Sequence, residues 1–267
     1  MGLRDSSKTR VQPVLGGLVA RPTSAWLPEL LAMGSRASVC RPAGFGTTGP
    51  LLANPPFKFE HRVTAPRDYL KVLLASKGRL RSAVEKNGAL LNSSPDPEVR
   101  KKRVSLLEGD TETIAEGLRY LDTRHVRSGK GTWWVLEGST YVDCALFAEN
   151  ATVFIEGKRT EPQLTESISW DLQRHQVFRN LDTLRGEHGK NGDFFVLLIV
   201  EAQSSAEAEA RCLDTGYELA VPSWPHLSNL EARQLYEKHY LGYTTWQQVA
   251  ERFEITLLDT IDDHLPV

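Results

Sequence analysis

The strongest pattern in the chain is Phe194-Phe195-Val196-Leu197-Leu198-Ile199-Val200, seven apolar residues without a polar interruption. Its length suits a strand buried on both faces, and it falls far short of the ~18 residues of a membrane span. Three more strands are expected upstream: Thr132–Leu136, Tyr141–Ala148 and Ala151–Lys158, each short, apolar and bounded by Gly, Ser or Asn. Helical spacing marks Ala65–Asn87, where Tyr69, Leu70, Val72, Leu73, Leu74, Leu80 and Val84 form a stripe and Pro66 suits the first turn. A second helix is expected from Asp110, a natural N-cap, to Leu121, with Ile114, Leu118 and Leu121 on its apolar face. A long helix is expected over Thr165–Arg185, striped by Trp170, Val177, Leu181 and Leu184. Shorter helices follow at Ser204–Arg211, Asn229–Tyr240 and Thr244–Phe253. The predicted class is α/β, in the order helix, three strands, helix, strand, with extra helices at both ends.

The first 56 residues break these patterns. They hold 7 Gly and 7 Pro, and only Asp5 and Glu29 are acidic, so they are expected to form a flexible Gly/Pro-rich tail. A transit peptide, or translation from too early a start with Met33 as the true one, would account for the same composition. Residues 57–267 are then one domain, with its core at about 105–203. Charge changes the picture little: 32 Lys+Arg against 34 Asp+Glu give −2 and no global basic field. Three scattered cysteines and seven scattered histidines suit neither a disulfide framework nor a zinc site. The expected setting is cytoplasmic, without a membrane span.

Candidate chemistry sits in the hairpin Tyr141–Lys158. With Glu149-Asn150 as its turn, Ala148 faces Ala151, Ala145 faces Phe154 and Asp143 faces Glu156. Directly opposed residues share a face, and so does Lys158, two residues beyond Glu156. The register therefore gathers two carboxylates and an ammonium in one patch. Opposed like charges destabilise a hairpin unless something compensates, and a divalent cation does so directly. Oxygen from the Gly157 carbonyl, water and a substrate phosphate would complete its shell, while Lys158 would stabilise charge or serve an attacking water. A solvated salt-bridge ladder is the competing reading of the same residues.

Asp143 followed by Glu156-Gly157-Lys158, in this order of elements, resembles the PD-(D/E)XK nuclease superfamily, with Val142 in the place of the motif's Pro. The resemblance implies a restriction-endonuclease-like core of helix, three-strand meander, helix and strand, and a Mg²⁺- or Mn²⁺-dependent nuclease acting on nucleic acid, with DNA the expected substrate. It implies Asp143, Glu156 and Gly157 as metal ligands and Lys158 as the residue serving the water. Such nucleases also tend to use a glutamate of the first core helix; Glu112 and Glu116 compete, and Glu116, in the helix body, is preferred. They often place a Gln, Arg or Lys from the following helix near the metal, which points to Gln173 and Arg174, the latter also a bidentate phosphate ligand. Arg159 and Arg179 are further candidates for contact with the nucleic-acid backbone. A homodimer would let one site per subunit cut both strands. The alternative is an inactive nuclease fold serving as a binding or assembly module.

Overall fold

A computed structural model of the chain describes residues 7–40, 57–123, 136–137, 139–159, 170–189 and 193–259. It is an α/β protein around one five-stranded mixed sheet. In chain order the elements are α1 (Gln12–Val19), α2 (Leu27–Ala32), β1 (Phe57–Val63), α3 (Arg67–Ala75), α4 (Lys77–Lys86), α5 (Pro97–Glu108), α6 (Thr111–Thr123), β2 (Thr140–Phe147) and β3 (Thr152–Lys158). They continue with α7 (Gln176–His188), β4 (Phe194–Val200), α8 (Ser205–Thr215), α9 (Tyr217–Ala220), α10 (Asn229–His239), β5 (Tyr240–Thr245) and α11 (Trp246–Phe253). The strands lie in sequence order. The β1–β2 and β2–β3 pairs are antiparallel, and β3–β4 and β4–β5 are parallel. Parallel neighbours need a crossover, and α7 and then α8–α10 supply the two required.

Alternation along the strands sorts the core into two layers. Ile155, Leu197 and Ile199 pack with α1, α2 and α11, whereas Phe154, Val196 and Leu198 pack with α7, α8 and α10. A third cluster holds α3–α6 together with Trp170 and contains no strand residue. The strand Phe194–Val200 is buried at every position, as its unbroken apolar run requires.

The hairpin takes the expected register, with Cys144 opposite Ile155, Ala145 opposite Phe154 and Phe147 opposite Thr152. Asp110 caps α6, its Oδ2 accepting the Thr113 N–H at 2.7 Å. Other expectations are corrected. Ala65–Asn87 is two helices, broken at Ser76, whose hydroxyl donates to the Val72 carbonyl at 2.6 Å. The strand beside β2 is Phe57–Val63, far upstream, while most of the expected strand Thr132–Leu136 lies outside the described residues. The core is therefore not confined to 105–203. Tyr240–Thr245, read as the end of one helix and the start of another, is an edge strand.

The largest correction concerns the N-terminus. Ser7–Cys40 is no tail: Val11, Val14, Leu15, Leu18, Trp26, Leu27, Leu30 and Leu31 are wholly buried against one face of the sheet. Arg10 locks the segment down, its Nε and Nη2 each 2.9 Å from a carboxylate oxygen of Glu201. Composition misled here because Gly and Pro fall beside short helices: Pro13 occupies the first turn of α1 and Pro28 that of α2. A chain begun at Met33 would leave that sheet face without α1 and α2, covered by α11 but not by the eight residues named above. Leu15→Ala is accordingly expected to cost about 2–5 kcal/mol, read as a lowered midpoint in denaturant unfolding; a tail would show no change.

Candidate active site

The ladder pairs of β2 and β3 end at Cys144 and Ile155, and beyond them Asp143 reaches across by its side chain. Its Oδ2 accepts the Gly157 N–H at 2.8 Å. Gly157 faces the N-terminal layer, and a Cβ there would lie 2.5 Å from Val11 Cγ2 and 2.8 Å from Trp246 Cζ2. The close approach thus demands glycine between the two functional side chains. The carbonyl of Lys158 accepts from Glu201 N at 3.0 Å and from Trp246 Nε1 at 3.1 Å, so the strand end is fixed in place.

Glu156 and Lys158 project to the other face, toward α7. Glu156 is only 1% exposed. Its Oε1 accepts from Lys158 Nζ at 3.3 Å and from Gln176 Nε2, and its Oε2 accepts from Asn180 Nδ2 at 3.0 Å. A buried carboxylate needs such donors, since desolvation without them is prohibitive. Gln176 and Asn180 stand at i and i+4 on α7, hence on one face. They are the site residues that sequence reasoning missed. The signal was present, but the expected helix began at Thr165, and that phase put Gln173 and Arg174 on the inner stripe.

In the structure α7 begins at Gln176 with His175 as its N-cap. Residues 170–175 are a turn, shaped by Asp171, whose Oδ1 accepts the Gln173 N–H at 3.0 Å. Gln173 is exposed, and its backbone N–H and carbonyl bond to Asp171 Oδ1 and to the Ser223 hydroxyl. Arg174 is fully buried. Its Nε lies 3.3 Å from Glu137 Oε2, its Nη1 lies 2.7 Å from Asp182 Oδ2 and from the Ser223 carbonyl, and the guanidinium stacks 3.7 Å above the Tyr69 ring. So enclosed, Arg174 cannot reach a phosphate and serves as a strut between the sheet layer and α3. Arg179 is also buried, with Nε 3.8 Å from Glu137 Oε1. Arg159 turns toward Asp259, at 3.9 Å. Glu116 pairs with Lys102 in the separate α3–α6 layer, so α6 does not bring a third carboxylate to the hairpin. Among the described residues, no group of three or more His, Cys, Asp or Glu is arranged to hold a metal.

The electrostatics divide this polar interior in two. Burial works against the charge of Arg174, but Glu137 and Asp182 outweigh it and hold its pKa above the ordinary range. Burial raises Asp182, but Arg174 and His226 outweigh that and leave it depressed. Glu137 goes the other way, burial prevailing over Arg174 and Arg179. Around Glu156 the balance differs: Gln176 Oε1 and Asn180 Oδ1 are buried without hydrogen-bond partners.

Comparison with family models, with characterised proteins and with solved structures finds no match to this chain. Its chemistry is therefore read from its own geometry.

The strut and the site separate by mutation. Arg174→Met strands Glu137 and Asp182 in the interior and is expected to cost about 3–5 kcal/mol in denaturant unfolding. The depressed pKa of Asp182 adds a pH signature: its contribution is present above the unfolded carboxylate range, about pH 4, and is lost as pH falls through the folded value. Wild type should therefore lose stability below about pH 4 by a component that Arg174→Met lacks.

Proposed function

We propose that this chain is a metal-dependent nuclease that hydrolyses phosphodiester bonds in DNA, built on a restriction-endonuclease-like core. The observation that carries this reading is that the Asp143 carboxylate bonds to the Gly157 N–H, between Glu156 and Lys158, whose side chains pair with each other at 3.3 Å. The topology supports it: along the sheet the elements run α1, then β1, β2 and β3 as an antiparallel meander, then α7 and β4, with α3–α6 inserted between β1 and β2. A three-strand meander followed by a helix and a parallel strand is compatible with the core the resemblance implies, with β1 in the place expected of Thr132–Leu136.

The residues also fit a Mg²⁺ or Mn²⁺ ion. Hard divalent cations take carboxylate and carboxamide oxygens. Asp143 and Glu156 offer the former, and the two unpartnered amide oxygens of Gln176 and Asn180 lie on side chains already touching Glu156. Turning either amide over would present oxygen beside Glu156, a repulsive arrangement without a cation and a favourable one with it. The chemistry such an ion supplies is charge, which polarises a phosphoryl oxygen and acidifies water. Lys158 holds its ammonium within reach of Glu156, where it can orient a water, take up or release a proton, and offset negative charge. Asp143, fixed by the Gly157 N–H, keeps the hairpin end in a single geometry. Cys40 and Cys144 are buried free thiols, and the reading places the protein in a reducing compartment, the cytoplasm. No helix among the described residues is long and apolar enough to cross a membrane.

A second reading, an inactive nuclease fold used for binding or assembly, is favoured by one observation: both oxygens of Glu156 already accept from neutral amides. Cleavage of plasmid and single-stranded DNA with Mg²⁺ decides between them. Glu156→Ala should abolish cleavage, Lys158→Ala should slow it about 10²–10⁴-fold, and Gln176→Ala should lower metal affinity about 10–100-fold. Equal activity in wild type and Glu156→Ala sinks the assignment. Mn²⁺ titration that shows no Asp143-dependent binding supports the inactive module.

A further inference from the structure

β1 changes the face it presents part-way along its length. Phe57 and Phe59 pack into the N-terminal layer with α1 and α2. Alternation would send His61 there as well. Instead the His61 ring stands 5.4 Å from Phe147 and 6.0 Å from Phe154, both in the opposite layer. Glu60 makes the switch: its φ of 50° is left-handed, a conformation that costs a non-glycine residue about 1–3 kcal/mol. β2 turns over at the same place, with Cys144, opposite Phe59, in one layer and Val142, opposite His61, in the other. Irregularities of this kind re-aim side chains, often beside functional sites.

The face that His61 reaches is the one from which Glu156 and Lys158 project. Phe154 is wholly buried and forms the floor beneath His61. Glu156 lies two residues further along β3, about 7 Å away on the same side. Phe147 and His61 are half-buried, and neither ring nitrogen of His61 bonds to any described residue. Lys58 is exposed, holds its Nζ 5.5 Å from the centre of the Phe147 ring, and has no carboxylate partner among the described residues. The patch thus offers aromatic rings, an unengaged imidazole and an unpaired ammonium, all reachable from solvent and adjoining the hairpin site.

Aromatic rings beside a cation suit unpaired nucleotides, whose bases stack on the rings while the cation meets the phosphate. A duplex hides its base faces and is held by many cations, which one lysine and a net charge of −2 do not supply.

We propose that Phe147, His61 and Lys58 form a stacking platform for the bases of single-stranded DNA, beside Glu156 on the same sheet face. A strand whose phosphate reaches Glu156 and Lys158 lays a neighbouring nucleotide across the platform, its base on the rings and its phosphate at Lys58. The naming of that strand as DNA rests on the nuclease reading; the platform itself does not.

The probe is fluorescently labelled oligodeoxythymidylate, titrated into the full chain with divalent metal chelated, against an abasic strand and a duplex of the same length. Wild type is expected to bind the oligodeoxythymidylate about tenfold or more tightly than either. Phe147→Leu keeps the apolar bulk and removes the ring, and should lower that affinity about tenfold while leaving the abasic strand unaffected. Lys58→Ala should weaken binding of both single strands and reduce the slope of log affinity against log salt by about 0.7. In Mg²⁺-dependent cleavage of single-stranded DNA, Phe147→Leu should raise KM more than it lowers kcat. If Phe147→Leu does not fold, the abasic comparison and Lys58→Ala decide. Equal affinity of wild type for the base-bearing and abasic strands, or tighter binding of the duplex, overturns the platform. Tighter binding of oligouridylate overturns the choice of DNA. Ring-dependent binding without metal-dependent cleavage removes the nuclease reading and leaves the platform standing. Cleavage by a Phe147→Leu protein with unchanged affinity and KM does the reverse.

Discussion

A carboxylate that is 1% exposed must be neutralised or hydrogen-bonded by its surroundings, and much of this structure follows from meeting that demand at Glu156. β3 is flanked on both sides by other strands, so its side chains have only two directions, both inward. One face must close tightly around Gly157, which brings in Val11 and Trp246. The opposite face must supply donors, which brings in Gln176 and Asn180 on a helix otherwise packed by Val177, Phe178, Leu181 and Leu184. A helix with so polar a buried face cannot be docked by apolar contact alone. The turn before it is therefore held by its own set of charges, with Asp171 bonded to Tyr69 and Arg79, and Arg174 to Glu137 and Asp182. The inserted helices α3 and α4 thus matter to α7: Tyr69 and Arg79 bond to Asp171 and fix the turn that precedes it.

What the sequence disclosed and what it concealed follow the range of the interactions. Hairpin register is local, since a two-residue turn fixes the pairs from Phe147–Thr152 to Cys144–Ile155, and beyond them Asp143 meets the Gly157 N–H rather than standing in a ladder pair with Glu156. The run Phe194–Val200 announces burial on both faces without reference to any partner. The pairing of Phe57–Val63 with β2 spans four helices, and the first strand of the meander was accordingly sought in the wrong place. Its own signal, Phe57 and Phe59 alternating with Lys58 and Glu60, stops at Glu60, which takes a positive φ of 50°. The N-terminal helices were concealed by composition. They are short, rich in Pro and Gly, and gain their stability from the sheet rather than from helix propensity. In α7 an error of phase mattered more than one of type. The stripe Trp170–Leu184 is compatible with a continuous helix, yet Asp171 organises a turn, and moving the helix start to Gln176 replaces Gln173 and Arg174 by Gln176 and Asn180 as the residues that meet the sheet.

The two buried polar groups on either side of Glu137 are built from the same residue types but differ in how the charge of their guanidinium is balanced. Around Arg174, two carboxylates, a carbonyl and an aromatic face surround one guanidinium, and the pKa of Arg174 rises because its charge is welcome. Removing Arg174 would leave uncompensated charge, although its own Nη2 is buried without a hydrogen-bond partner. Around Arg179 and His175, Arg179 Nε and Glu137 Oε1 stand 3.8 Å apart without hydrogen-bond partners, His175 Nε2 has none either, the guanidinium pKa falls through burial, and Gln176 and Asn180 keep amide oxygens without partners. Unmatched donors and acceptors together in one buried place are poorly suited to a finished core, since each is costly as it stands. The interior thus divides into a part whose charges stabilise one another and a part whose polar atoms oppose the packing around them.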